Sequence, residues 1–288
     1  MAAKRTGKPS TARQNLQHLI IVLCFLLVTL VYVAIWLSPE RGHDWRDSFA
    51  PAGRTWWDPY QYPFHNPPWV ALLLWPIAIL PLRLGFIVNG LLTIAITVWL
   101  VLRSGGSWLA VLVTLLSPPF IGIQLVGNIE WIPMLGIIVG GAWSVPLLMT
   151  KPQTVGLVSI LYFKRSGFNW RFWLPMAGVL VVSFLIWGWW PAKIPPLPEN
   201  SATWNLSIFP WGVPLGIVCA WLAWKRDSLG WTLLAGIFFA PYFGIGSLTP
   251  AVAVWSARYP RALGLLFAVF WVLLGYFLLS WGPSGPLV

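Results

Sequence analysis

The sequence predicts an all-α, polytopic membrane protein, and three observations carry that prediction. Hydrophobic residues make up 58% of the 288-residue chain and charged residues only 9%, where soluble domains carry roughly a quarter charged residues. Apolar runs of about twenty residues, enough to cross a bilayer, recur along the whole chain. These runs are continuous rather than alternating, which excludes the two-residue period of a membrane β-barrel. In hydrocarbon every backbone amide must pair within its own segment, and helices do this. The expectation is about nine to eleven transmembrane or re-entrant helices in the plasma membrane.

Residues 1–18 form a basic tail, with Lys4, Arg5, Lys8 and Arg13 and no acid. The positive-inside rule places this tail in the cytoplasm, with anionic lipids as its counterions. The remainder, residues 19–288, reads as one transmembrane domain. The first span is His18 to Leu37; the following LSPERG lacks a small-x-small cleavage site, so the span is retained. Residues 38–67 are then an outside loop. A second span is expected from Asn66 to about Leu82, with Asn66 capping its start, Pro67 and Pro68 in its first turn, and Arg83 inside.

Spans over 84–102 and 108–126 follow, joined by a tight turn at Arg103, Ser104, Gly105 and Gly106. Gly127 and Asn128 break the pattern before a fifth span, Trp131 to Met149. The run Thr154 to Phe163 is half a crossing and reads as tilted or re-entrant. Lys164, Arg165 and Arg171 mark an inside loop, and 172–190 leads to a second outside loop at about 191–208. A span over 209–224 returns to Lys225, Arg226 and Asp227 inside. Residues 229–255 are too long for one straight helix and contain Pro241 and Pro250, so two shorter helices meeting near Gly244 to Ser247 are expected. Ala262 to Trp281 is the last span.

Net charge is +11, but the excess arises from scarce acids and a clustered N-terminus, which argues against a nucleic-acid partner. Cys24 and Cys219 lie inside apolar runs without metal or redox spacing. Many of the 23 tryptophans border the spans, as interfacial anchors do; Trp56, Trp57 and Trp204 are also placed to stack on a sugar.

Of the seven carboxylates, Glu40, Asp44, Asp47 and Asp58 crowd into the first outside loop. Asp44 and Asp47 are three apart, so a helix presents both on one face. One reading is that Asp44 caps a short interfacial helix while Asp47 supports its first turn; the other is that a carboxylate here serves as general base on a hydroxyl. Lys151, followed by Pro152 and Gln153, is either a lysine snorkelling to the interface or a cation facing a phosphate, with Gln153 as a neutral donor. Glu130 sits where it complements the positive end of its own helix. His43 and His65 flank the loop acids, but no ligand spacing supports a divalent metal, and no cofactor is implied. Nucleotide-binding and hydrolase motifs of the GxGxxG, P-loop, HExxH and GxSxG types are absent from the chain.

Taken in order, an acid in the first outside loop, Phe49 to Ala52 (Phe-Ala-Pro-Ala), Asn66-Pro67-Pro68, the Gly127-Asn128 break, Lys151-Pro152-Gln153 and Ala240-Pro241-Tyr242 form a pattern. It resembles the bacterial polyprenyl-phosphate-mannose-dependent mannosyltransferases of the GT-C glycosyltransferase superfamily, over about residues 19–260. The resemblance implies transfer of a hexose from a polyprenyl phosphate to an acceptor hydroxyl on the outer face, with inversion. It implies Asp44 as the base, with Asp47 as second choice. Lys151 and Gln153 would hold the carrier phosphate, with Arg54 as a further cation and Asn66, Asn128 and Tyr242 lining the site. The Gly-Gln-x-Asn element of that family is kept only in part, as Gly127, Asn128 and Ile129. The chain is also short for the family. A catalytically silent GT-C-like subunit of a larger membrane complex is therefore an alternative, and a small transporter or flippase is another.

Overall fold

The computed structural model describes residues 11–196 and 203–281. Most of the basic tail, including Lys4, Arg5 and Lys8, and the middle of the second outside loop lie outside the described residues. The described chain is helical. Its α-helices, in order, are α1 (Thr11–Leu37), α2 (Ala50–Arg54), α3 (Pro68–Ala78), α4 (Leu82–Arg103), α5 (Trp108–Leu115), α6 (Pro118–Val126), α7 (Trp131–Val139) and α8 (Ser144–Leu148). They continue with α9 (Pro152–Val155), α10 (Leu157–Arg165), α11 (Leu174–Trp187), α12 (Val213–Arg226), α13 (Leu229–Phe239), α14 (Thr249–Arg258) and α15 (Pro260–Trp281).

Among the described residues, three helical stretches are long and apolar enough to cross a membrane alone: Leu82–Arg103, Trp170–Trp187 and Pro260–Phe277. The pair α5 and α6 makes a fourth if it is one bent span. Prolines explain why so many other helices are short. Pro118 and Pro119 cannot donate to α5, so the chain breaks by 55°, and Ser117 starts α6 by accepting from the Phe120 amide. The expected split of 229–255 is present, with α13 and α14 separated by residues 240–248.

The second expected span is corrected. Helix α3 has 11 residues, a length of about 16 Å, and does not carry the chain to the far end. Arg54 closes it by donating to the Ala78 and Leu80 carbonyls, and Pro81 follows. Arg83 then donates to the Leu37 and Ser38 carbonyls at 2.9 and 2.7 Å. It therefore lies at the same end as residues 38–67, not at the opposite one. Helix α4 is the first to return, and it places Arg103 beside Arg165 and Arg258 around one cavity.

The bundle thus has two unlike ends. One gathers residues 38–67, Arg83, Asn128 and Lys151, with charges of both signs. The other gathers Arg103, Lys164, Arg165, Lys225, Arg226, Arg258 and Arg261, and among the described residues its acid is Asp227, bonded to Arg165 and Lys164. Helix α4 runs between them through the core. Its buried Asn89, Thr93 and Thr97 recur every fourth residue, and each threonine hydroxyl bonds the carbonyl four residues back. Helix α15 sits outside, with none of its apolar window buried.

Candidate functional site

A continuous line of polar side chains enters the core from the mixed-charge end. His43 Nε2 lies 3.4 Å from Asp44 Oδ1. The Asn128 amide donates to Asp44 Oδ2 at 3.0 Å, and its own Oδ1 accepts from Lys151 Nζ at 2.6 Å. Lys151 also donates to Glu130 Oε1 at 2.5 Å, and Ser247 Oγ donates to that same oxygen at 3.2 Å. The line passes from half-exposed His43 to fully buried Glu130: side-chain exposure is 34% at Asp44, 9% at Lys151 and 1% at Glu130. Two opposite charges removed from water survive together because each neutralises the other. Glu130 Oε2 is buried without a hydrogen-bond partner among the described residues.

Local sequence builds this line. Gly127 ends α6 in the left-handed conformation, φ +77°, and a Cβ there would stand 2.8 Å from Trp45 Cβ. That turn is what lets Asn128 face both Asp44 and Lys151. Asn89 on α4 fixes it by donating to the Gly127 and Asn128 carbonyls, while Trp131 donates to Asn89 Oδ1. The Gly42 amide bonds the Leu125 carbonyl at 2.8 Å, which docks the first loop against the end of α6. Asp44 starts a single turn of π-helix, Trp45–Phe49, that continues into α2.

No family model, curated protein or solved structure matches this chain. Any role of the polar line therefore has to be argued from its geometry.

Two capping expectations are replaced. Asp44 makes no cap bond; its carboxylate is committed to Asn128. Asn66 does not cap α3 but donates at 3.0 Å to the Thr150 carbonyl, beside Lys151. Glu130 stands at the start of α7, where a carboxylate complements the positive end of the helix, and its side chain bonds Lys151 rather than an α7 amide. Lys151 itself is buried, so it is not a snorkelling lysine.

The remaining expected residues separate into near and far. Gln153 is half-buried, and its side chain has no hydrogen bond among the described residues. Tyr242 lies close to the line: burial, and behind it the Glu130 carboxylate, push its phenol above the ordinary range. Its ring meets Trp204 edge-on at 5.9 Å. Asp47 is not in the line; it pairs with exposed Arg46 at 2.7 Å. Arg54 is spent on α3. His65 turns to the Pro195 carbonyl, and no group of three or more His, Cys, Asp or Glu that could hold a metal occurs among the described residues.

Sequence reading did not join Glu130 to Lys151, although a signal was present. Between Arg103 and Lys164 these are the only two charged residues in sixty positions of apolar sequence. Lone opposite charges at membrane depth are stable only as partners. Ser247 carried no comparable signal.

Proposed function

We propose that this chain is a membrane-embedded glycosyltransferase that moves a hexose from a polyprenyl phosphate to an acceptor hydroxyl, with Asp44 as general base. The observation that carries the reading is that Asn128 joins Asp44 to Lys151, two groups 107 positions apart in sequence. One Asp44 oxygen is anchored by Asn128 and the other lies on the His43 side, at the partly exposed mouth of the line. In the reaction the acceptor oxygen bonds to the anomeric carbon and its proton passes to Asp44. The bond from that carbon to the phosphate oxygen breaks, and the phosphate leaves with the electron pair. Inversion follows from attack opposite the leaving group. Asn128, Lys151 and Glu130 are positioning residues that hold the base. An apolar groove of about 520 Å³ runs along α11, lined by Trp69, Trp143, Leu174, Val182 and Trp187, and suits a prenyl chain.

One observation favours a second reading, a silent subunit. The Lys151 amine is already neutralised by Glu130, so the phosphate would have to be met by other donors, such as Gln153. Assay of purified protein with labelled polyprenyl phosphate hexoses separates the two. The transferase reading expects label in product for the native chain and at least about a hundredfold loss for Asp44→Asn, at unchanged expression. Transfer that survives Asp44→Asn removes Asp44 from the role. An inactive native chain that co-purifies with other polypeptides leaves the subunit reading.

A further inference from the structure

At the opposite end of the bundle the last turns of α4, α10 and α14 converge on a cavity of about 740 Å³. Each contributes an arginine: Arg103, Arg165 and Arg258. Arginines at helix C-termini complement the helix dipole, and that accounts for their positions but not for their meeting around a hollow. Asp227 bonds Arg165 at 2.9 Å and lies 3.6 Å from Lys164. Arg103 makes no ion pair or side-chain hydrogen bond among the described residues, and Arg258 only stacks its guanidinium 5.5 Å from the Tyr259 ring. The cavity therefore holds positive charge that the protein does not neutralise.

The rest of the wall has two characters. Ser104, Ser166 and Ser228 also line it, the Ser166 hydroxyl donating to the Phe163 carbonyl. Leu100, Ile137, Val139, Leu229 and Val254 make an apolar side, closed by Trp255. Trp255 is held in place by its bond to the Gly230 carbonyl and by stacking on Tyr259. Gly140 and Gly141, both at positive φ, turn the chain between α7 and α8 there with open space where side chains would stand. Forked guanidinium donors, hydroxyls and an adjoining apolar wall are the chemistry that receives a phosphate on an amphiphile. Basic pockets between membrane helices bind phosphate head groups in this way.

We propose that this cavity is a binding site for a phosphate group, with Arg103 and Arg258 as its principal contacts, separate from the Asp44 line at the other end. The apolar wall makes an anionic lipid the source it suits best, and soluble phosphate is the other source of the same chemistry. The test is native mass spectrometry of the full chain in detergent, titrated with phosphatidylglycerol and, separately, phosphatidylcholine. Expected are preferential phosphatidylglycerol adducts that fall at least about tenfold in Arg103→Gln/Arg258→Gln. Arg226→Gln, a charge change at the same end outside the cavity, should leave them unchanged. Both arginines are exposed, and Arg103→Lys/Arg258→Lys keeps the charge if the glutamine variant is poorly expressed; it should retain binding in part. Competition by millimolar inorganic phosphate would assign the soluble source, and indifference to it the lipid. Equal binding by the glutamine variant, or an equal loss in Arg226→Gln, overturns the site.

Discussion

The two ends of this molecule treat charge in opposite ways. At the mixed end the chain supplies acids, and the structure uses them to take a lysine out of water: Lys151, Glu130, Asn128 and Asp44 form one bonded line running from the surface into the core. At the basic end the described acid is Asp227, it is half-exposed, and two of the three cavity arginines are left without it. Buried charge must be satisfied internally, so the mixed end is rigid and specified residue by residue. Exposed charge is satisfied by water, lipid or ligand, so the basic end can stay open. Internal order thus concentrates at the mixed end, and unneutralised charge able to take a ligand at the basic end.

The buried pair should not tolerate the loss of one partner. Glu130→Gln or Lys151→Met each leaves one buried charge uncompensated and should cost about 3–5 kcal/mol of stability. The combined Lys151→Met/Glu130→Leu removes both charges and should recover most of that loss. Thermal unfolding in detergent, followed by intrinsic tryptophan fluorescence, reads all three. If a single variant proves as stable as the native chain, the line is not a buried ionic structure.

The turn that aims the line is the next place to press. Gly127→Ala puts a methyl 2.8 Å from Trp45 Cβ at a φ of +77°, and a loss of about 1–3 kcal/mol is expected from strain alone. If the proposed transferase reading holds, displacement of Asn128 should also lower transfer activity. A variant that loses stability but keeps full activity would show that the Asp44–Asn128 bond is dispensable.

Part of this architecture was legible in the sequence. The breaks at 127–128 and 240–248 could be read because glycine and proline punctuate the pattern, and the meeting of α13 and α14 near Gly244 to Ser247 followed from length. The return of α3 could not be read: hydropathy reports that a stretch is apolar, not that Arg54 will close it after 11 residues. The same blindness put Arg83 at the wrong end. In the site, Asp44 and Lys151 were legible as costly polar residues. Their bridge was not, because Asp44 and Asn128 lie 84 positions apart and the contact depends on how the first loop docks against the end of α6. Asn89 shows the same limit: an asparagine in a span announces a partner but does not name it.

Outside the line, the surface charges should matter little. Asp47 stands three residues from Asp44 but is paired on the surface with Arg46, and the hydrogen bond from this guanidinium holds its carboxyl below the ordinary range, against the opposing effect of burial. A depressed folded-state pKa contributes stability above the unfolded value, about 3.9, and that contribution is lost as pH falls through the folded value. The Asp47→Asn variant should therefore differ from the native chain by no more than about 1–2 °C in Tm at pH 7. The gap should close as the pH is lowered below about 4 and shrink with added salt. Transfer activity should be unchanged if Asp44 alone is the base. A large, salt-insensitive loss in Asp47→Asn would move the site out onto the surface pair and dissolve the contrast between a buried, ordered line and an exposed, screened one.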